Sequence, residues 1–220
     1  MAQAGNSQDG NAGASTRPWR LGVLLSGSGR TLENLLAVID RGELDADVVV
    51  VVSSRSAARG AGIARAAGIP LEIVTRKSHP TTEAHSRAIY NTVEPFGVDL
   101  LILAGYLRQM AVDPAWQGRM LNIHPALLPQ ASDYAAGRGR YGDVVHAAVL
   151  ERGDMLSGAT VHVVADAYDT GPPVLQCEVP VLPDDTVTSL AARVFAAECE
   201  LYPEAIRQYM AEHPDLRRDV

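Results

Sequence analysis

The hydrophobic residues in the first half of the chain form short continuous runs. These runs cover residues 21–25, 47–52, 71–74 and 98–104, and the second consists almost entirely of valine. Continuous runs rich in β-branched residues are typical of parallel strands that are covered on both faces. The pattern therefore predicts a series of buried strands.

The segments between these runs show helical spacing instead. After a tight glycine-containing loop, the leucine and isoleucine residues between Leu32 and Ile39 recur at intervals of three and four up to Gly42. Further helices are predicted at residues 56–67 and 81–94. This alternation of strand and helix predicts an α/β fold with a Rossmann-like, doubly wound, mostly parallel sheet and flanking helices.

The pattern changes in the second half of the chain. There the sequence predicts a helix at residues 144–150, strands at 160–164 and 174–181, and a long closing helix at 187–209. Residues 1–18 contain almost no large apolar side chain, so they cannot bury enough surface to offset the entropy of ordering. We therefore expect a disordered tail at residues 1–18 and a single domain at residues 19–220.

Composition narrows the class of protein. The 220 residues are 47% hydrophobic, which suits one domain with a sizeable core. A net charge of −7 without a basic run argues against nucleic-acid binding, and no apolar run is long enough to span a bilayer. The two cysteines, Cys177 and Cys199, form no disulfide framework. We expect a cytoplasmic protein, a monomer or homodimer, whose partners are small molecules.

The segment from Arg119 to Pro129 combines a strand end with polar side chains. Asn122 and His124 are two residues apart, so on a strand they point to the same face. An amide that donates hydrogen bonds beside an imidazole that titrates near neutral pH suits the stabilisation of a developing oxyanion. The alternative is a buried asparagine and histidine, each satisfied by the backbone, and the pair alone leaves both interpretations open.

A glycine-containing loop follows the first predicted strand. Gly27-Ser28-Gly29 stands between strand and helix, where backbone N–H groups and the helix N-terminus favour an anion such as a phosphate monoester. The dinucleotide fingerprint fits worse, because Leu32 occupies the third glycine position and Ser53-Ser54-Arg55 stands where a ribose-binding acid is expected. The alternative is a simple tight turn.

Several motifs occur together in one order. They are Asn122-x-His124-Pro125-x-Leu127-Leu128-Pro129, a Val161-His162 strand, and the turn Asp169-x-Gly171-Pro172. This set resembles the glycinamide ribonucleotide formyltransferase family, and the resemblance extends over residues 21–202. It implies the formyltransferase fold and transfer of a formyl group from 10-formyltetrahydrofolate, as co-substrate, to the amine of glycinamide ribonucleotide in purine biosynthesis.

The resemblance also assigns residues to the site. It implies catalytic roles for Asn122, His124 and Asp169. It implies phosphate and glycinamide contacts for Gly29, Arg30, Thr31 and Glu198. It implies folate contacts for Leu107, Arg108, Gln109, Met110, Asn122 and Asp166. A carboxylate at Asp169 near His124 is expected to raise the pKa of that imidazole and to fix its orientation.

The chain departs from the family pattern at a few positions. Thr82 stands where relatives often carry a folate-contacting arginine, so the contact is lost or Arg76 or Arg87 replaces it. In residues 130–143 the chain is longer before Gly137 than in some relatives and has Asp143 where relatives can carry histidine. A glycine-rich loop of this length suits a mobile lid. Arg138 and Arg140 in that segment either meet the phosphate or are solvated.

Two alternatives to formyl transfer stay open. The same residues could hydrolyse formyltetrahydrofolate with water as nucleophile, or the chain could be a catalytically impaired folate- or phosphate-binding relative. We expect no metal site, because no pair among His124, His146, His162 and Asp169 has the close spacing of metal ligands. His146 and His162 are interpreted as satisfied or exposed histidines.

Overall fold

The computed structural model describes residues 17–218, which form one seven-stranded sheet in the order β3-β2-β1-β4-β5-β6-β7. The strands are β1 (Trp19–Leu25), β2 (Ala46–Ser53), β3 (Leu71–Ile73), β4 (Leu100–Leu103), β5 (Met120–His124), β6 (Leu156–Val163) and β7 (Pro173–Pro180). The first five strands pair in parallel, whereas β5–β6 and β6–β7 are antiparallel. The predicted doubly wound, mostly parallel architecture is confirmed.

In the described part of the chain, five α-helices lie between strands and a sixth follows β7. They are α1 (Arg30–Asp40), α2 (Arg59–Ala66), α3 (Thr82–Val93), α4 (Ser132–Ala135), α5 (Asp143–Arg152) and α6 (Val187–Glu212). The short helix α4 lies in the segment that the sequence predicted only as a loop. Within residues 17–218, none of the helices is both long enough and apolar enough to cross a membrane.

Neighbouring residues along the central strands belong to different cores. Leu101 packs in the cluster that contains α3, while Leu100 and Ile102 pack in the cluster that contains α1 and α6. Successive side chains of a strand point to opposite faces, so both faces of the sheet are buried. This explains why the strands appear in the sequence as continuous apolar runs.

Helix α6 is attached to the central strands β4 and β5 through a buried tyrosine. The Tyr202 side chain is fully buried, and its hydroxyl lies 2.8 Å from the Leu121 carbonyl oxygen and 3.2 Å from that of Leu103. The hydroxyl therefore bonds at the junction of β4 and β5, and burial raises its pKa well above the ordinary value. This contact holds α6 close to the ends of the two strands.

A buried carboxylate lies at the amino end of the central strand β4. Asp99 is completely buried and accepts both guanidinium N–H groups of Arg17, at 2.7 and 2.9 Å. It also accepts the backbone N–H groups of Arg20 and Arg218. The expected disordered tail, residues 1–18, lies outside the described residues except for its last two, and Arg17 pairs with this carboxylate. Asp99 therefore joins both ends of the described chain.

We predict that Asp99→Ala destabilises the protein by about 2–4 kcal/mol, because a buried hydrogen-bonded charge pair is broken. Burial alone would raise the pKa of Asp99, but Arg17 and the two backbone N–H groups hold it below its ordinary value. The stability it contributes is therefore present above the unfolded pKa and is lost as pH falls through the folded pKa. Urea unfolding at pH 7 and pH 3 measures this, and the difference between variant and wild type should shrink at pH 3. An equal difference at both pH values would contradict the argument.

Candidate active site

The site lies where β1, β4 and β5 end. The strand order reverses between β1 and β4, and in open α/β sheets ligands bind in the crevice beyond the carboxyl ends of the strands at this point. A cavity of about 470 Å³ occupies that position, a size typical of small-molecule sites. It is lined by the glycine loop after β1, the loop after β4, the end of β5, residues 137–143, and part of α6.

Asn122 and His162 face each other across two antiparallel strands. They are register partners on β5 and β6, and the Asn122 Nδ2 atom lies 3.1 Å from His162 Nε2. His162 Nδ1 lies 3.0 Å from the Val163 carbonyl oxygen, which can only accept, so Nδ1 carries the proton and Nε2 accepts from the amide. His162 thus orients the Asn122 side chain toward the cavity.

His124 is buried between two hydrogen-bond acceptors. Its Nε2 atom lies 2.8 Å from the Ala135 carbonyl oxygen, and its Nδ1 atom lies 3.5 Å from Asp169 Oδ1. Since a carbonyl only accepts, Nε2 donates to Ala135. The two surrounding oxygens therefore suit an imidazole that carries protons on both nitrogens.

The expected increase in the pKa of His124 is not observed. Burial lowers the pKa of His124, and this effect outweighs the opposing effects of Asp169 and the Ala135 carbonyl. The expectation considered the charge of Asp169 but not the removal of water from the imidazole, which disfavours the charged form. Burial therefore favours the neutral form of His124.

Asp169 occupies a strained turn beside both histidines. Its φ angle is +56°, a left-handed conformation that residues other than glycine seldom adopt. Its carboxylate lies 3.7 Å from His162 Nε2 and accepts the Gly137 backbone N–H at 3.0 Å. Burial alone would raise the pKa of Asp169, but His162, His124 and Gly137 together bring it below the ordinary value. Asp169 is therefore an ionised carboxylate in the wall of the cavity.

The glycine loop meets the start of α2 at very short range. Gly29 has a φ angle of +77°, and a Cβ atom at this position would lie 2.4 Å from the Cα atom of Gly60. Only glycine fits there, and it directs the chain into the first turn of α1. Residues 27–31 line the cavity, so the free N–H groups at the start of this helix are available to an anion.

Arg30 and Glu198 form the wall that α1 and α6 share. Arg30 is exposed, and its guanidinium stacks on the Phe195 ring, 3.9 Å from the ring centroid, which holds it at the cavity. Glu198 is half-buried and has no hydrogen bond to the described residues. Burial raises its pKa to about 7, although the positive charge of Arg30 opposes this.

The predicted folate contacts differ in how they reach the cavity. Leu107 and Arg108 line it, whereas the Met110 side chain is buried in the core that contains α3. The Gln109 amide donates to the Asp166 carbonyl at 2.6 Å, and Asp166 Oδ1 accepts the Val112 N–H at 2.9 Å. Asp166 thus fixes the shape of this segment, and Gln109, Met110 and Asp166 do not belong to the residues that line the cavity.

Arg76 lies on the same side of the structure as Arg108. The pKa of His85 is lowered to about 4, mainly by burial and also by the positive charges of Arg76, His79 and Arg108. His85 Nε2 is 2.6 Å from the Tyr106 hydroxyl, and Tyr106 lines the cavity. Arg76 therefore supplies a positive charge near this wall, which the uncharged Thr82 at the start of α3 cannot do.

The atypical segment at residues 130–143 contacts the catalytic residues directly. Its helix α4 presents the Ala135 carbonyl to His124, and the next turn presents the Gly137 N–H to Asp169. Arg138 and Arg140 are exposed and line the same cavity as Gly29. The segment therefore forms a wall of the site.

Two residues of the site escaped the sequence interpretation. His162 and His146 were treated as incidental histidines, yet the structure places His162 against Asn122 and His146 in the cavity wall. The signal for His162 was its strand, because an antiparallel partner of β5 brings alternate residues beside Asn122. Among residues 17–218, no group of three potential ligands is arranged to hold a metal ion.

These features define an enzyme of the acyl-transfer type. An amide and an imidazole lie beside a carboxylate, and the same cavity reaches an anion-binding loop. Such an arrangement can hold an anionic substrate while it stabilises negative charge on a carbonyl oxygen.

Comparison with known proteins identifies the family. The family model described as "Formyl transferase" matches residues 19–206, and this chain belongs to that family. The chloroplastic phosphoribosylglycinamide formyltransferase of Arabidopsis thaliana is 37% identical over 212 residues, which cover 94% of this chain and 71% of the plant protein. The human trifunctional purine biosynthetic protein adenosine-3 is 35% identical over 190 residues, which are 86% of this chain and 18% of the human protein.

Solved structures show the same relationship. Glycinamide ribonucleotide transformylase 1 from Symbiobacterium toebii superposes with a TM-score of 0.80 at 37% identity and covers 90% of this chain and 91% of its own. A formyltetrahydrofolate deformylase from Pseudomonas syringae pv. tomato superposes with a TM-score of 0.76 at 22% identity, covering 90% of this chain and 63% of its own, a likeness in fold alone. The resemblance inferred from the motifs is confirmed.

We predict that Glu198→Gln stabilises the protein at pH 8 by about 1–2 kcal/mol, because it removes a charge that is costly to bury. The pKa of this carboxyl is raised to about 7 in the folded state. The native protein therefore binds more protons than the unfolded chain between the two pKa values, and wild-type stability falls as pH rises through this interval. Thermal unfolding of both proteins at pH 4 and pH 8 measures the effect. A gain of the same size at pH 4 would contradict it.

Proposed function

We propose that this protein transfers the formyl group of 10-formyltetrahydrofolate to the amine of glycinamide ribonucleotide, a step of purine biosynthesis. The observation that carries the proposal is the grouping of three side chains at one cavity: Asn122 and Asp169 line a space that reaches the Gly29 loop. His124 is buried next to this wall, with its Nδ1 atom 3.5 Å from the Asp169 carboxylate. Relatives named for this activity support the choice of substrates.

The acceptor substrate is held from its two ends. Gly29, Arg30 and Thr31 bind the phosphate through the start of α1 and the stacked guanidinium. Glu198 binds the glycinamide end, because a carboxyl group at the cavity wall that has no hydrogen bond to the described residues can bond to the polar groups of the substrate. These contacts bring the amine toward Asn122, which lines the same cavity.

The folate co-substrate occupies the side formed by the loop after β4. Leu107 and Arg108 line this side with their side chains, while Gln109 and Met110 contribute backbone groups, and Asp166 holds their segment in place. Asn122 is shared, since it reaches the carbonyl oxygen of the formyl group. No metal ion has a role in the proposed reaction, and we propose a cytoplasmic location and a monomeric or homodimeric state.

The formyl carbon is attacked by the amine, and its oxygen becomes negative. Asn122 donates one amide N–H to His162 and keeps its second N–H for this oxyanion. His124 donates from Nε2, which requires the oxyanion to replace the Ala135 carbonyl as its partner. The new negative charge then favours the protonated imidazole, and Asp169 on the Nδ1 side stabilises it.

A comparison of two reactions tests the proposed function. The protein is mixed with 10-formyltetrahydrofolate, with and without glycinamide ribonucleotide, and the release of tetrahydrofolate is followed. We expect release only when the amine is present. Equal release in both mixtures would indicate the hydrolase, and release in neither would indicate a binding protein.

Single substitutions test the assignment of roles. Asn122→Ala and His124→Ala are each expected to lower kcat about 10²–10³-fold, because each removes a donor to the oxyanion. Asp169→Asn keeps the shape of the side chain but removes the charge that stabilises a protonated His124, so kcat should fall while the affinity for glycinamide ribonucleotide stays near that of the wild type. Cys199→Ser, a change outside the cavity, serves as the control. Full activity of the His124 variant would exclude this mechanism.

A further inference from the structure

A third histidine of the site makes no hydrogen bond with the described residues. His146 lies on α5, is 4% exposed and lines the cavity. Its Nδ1 atom is buried without a hydrogen bond, and no bond joins either ring nitrogen to another residue in the 17–218 range. An unpaired buried polar group destabilises the folded protein, so its presence in a cavity wall requires an explanation.

The other two histidines around Asn122 are already engaged. His124 faces Ala135 and Asp169, and His162 uses Nδ1 for Val163 and Nε2 for Asn122. His162 therefore has both nitrogens bonded, and His124 donates from Nε2 while its Nδ1 atom faces the Asp169 carboxylate. Of the three, His146 is the one whose nitrogens are both unengaged by the protein.

The surroundings of His146 keep it in the basic form. Burial lowers its pKa and the positive charge of His124 on β5 would lower it further, while Asp143 on its own helix opposes both. A neutral imidazole has a lone pair that accepts a proton, and a base whose pKa is near or below the working pH is in that form during turnover.

We propose that His146 is a further catalytic residue, the base that accepts the proton of the attacking amine. This inference rests on the function proposed above. The amine nitrogen forms a bond to the formyl carbon, the carbonyl electron pair moves to oxygen, and the N–H proton passes to a ring nitrogen of His146. When the oxyanion reforms the carbonyl, the bond from carbon to the folate nitrogen breaks, and the imidazolium returns the proton to that nitrogen. The products are the formylated amine and tetrahydrofolate.

Two variants and a matched control test this role. His146→Ala and His146→Gln are expected to lower kcat about 10²–10³-fold with little change in KM for glycinamide ribonucleotide, since a base acts in the transition state. Imidazole added to the buffer should restore part of the rate of the alanine variant, which leaves space for it, but not of the glutamine variant. His213→Gln, on the half-buried histidine that follows α6, should match the wild type.

The possible outcomes separate the two proposals. If the wild type transfers the formyl group and the His146 variants keep its kcat, or lose only substrate affinity, the role of His146 is excluded while the proposed function stands. A loss of kcat in both variants that imidazole does not restore in the alanine variant also excludes it. If the wild type itself does not transfer the formyl group, both proposals fail. Thermal unfolding confirms that each variant is folded, and the glutamine variant alone decides the kcat result if the alanine variant is not.

Discussion

The antiparallel pairing of β5 with β6 is the constraint on which the site depends. Asn122 lies opposite His162 and His124 lies opposite Thr160 in this register. A slip of one residue would turn every side chain of β6 to the other face, and His162 would no longer reach the amide. The antiparallel strand β6 therefore supplies the histidine that contacts Asn122 on β5, the last parallel strand.

Thr160 shows how the same pairing fixes the chain beyond β5. Its hydroxyl donates to the Ala126 carbonyl at 2.7 Å and accepts the Leu128 N–H at 2.9 Å. These bonds hold the proline-containing segment after His124 against β6, and this segment leads into α4. The position of the Ala135 carbonyl on His124 thus follows from strand pairing as well as from local packing.

Burial gives the ionisable groups of the cavity different charges. The imidazoles of His124 and His146 have lowered pKa values, because water is excluded from both. Asp169 stays ionised because several donors surround it, whereas Glu198 lacks such donors and its pKa is raised to about 7. The pKa values of two carboxyl groups in one cavity therefore differ because their hydrogen bonds differ. A reaction that needs one acid and one base can use such a pair.

The sequence predicted the parts of the fold that depend on periodicity and missed those that depend on tertiary contact. The run at residues 47–52 predicted a buried strand because both faces of β2 are covered. The start of β6 at Leu156 was missed, since Ser157 and Gly158 interrupt the apolar run and only pairing with β7 makes them a strand. Helix α4 has no apolar period; it forms where Ala135 packs against Ala131 and Val145.

The candidate site also has features that the sequence predicts and features that depend on tertiary contact. Motif order assigned Asn122, His124 and Asp169, and the structure places them together. The low pKa of His124 depends on how completely the folded chain excludes water from the imidazole. The contact between Asn122 and His162 joins residues 40 positions apart, and no local pattern encodes it.

The cluster at Asp99 has a consequence for how the chain could be rearranged. The Arg17 guanidinium bonds to the Arg218 carbonyl at 2.6 Å, so the two ends of the described domain meet at the amino edge of the sheet, across from the cavity. A short peptide joining them would close the polypeptide into a ring with little strain, and new ends could be opened in a surface loop. The order of the strands along the chain is thus separable from the geometry of the site.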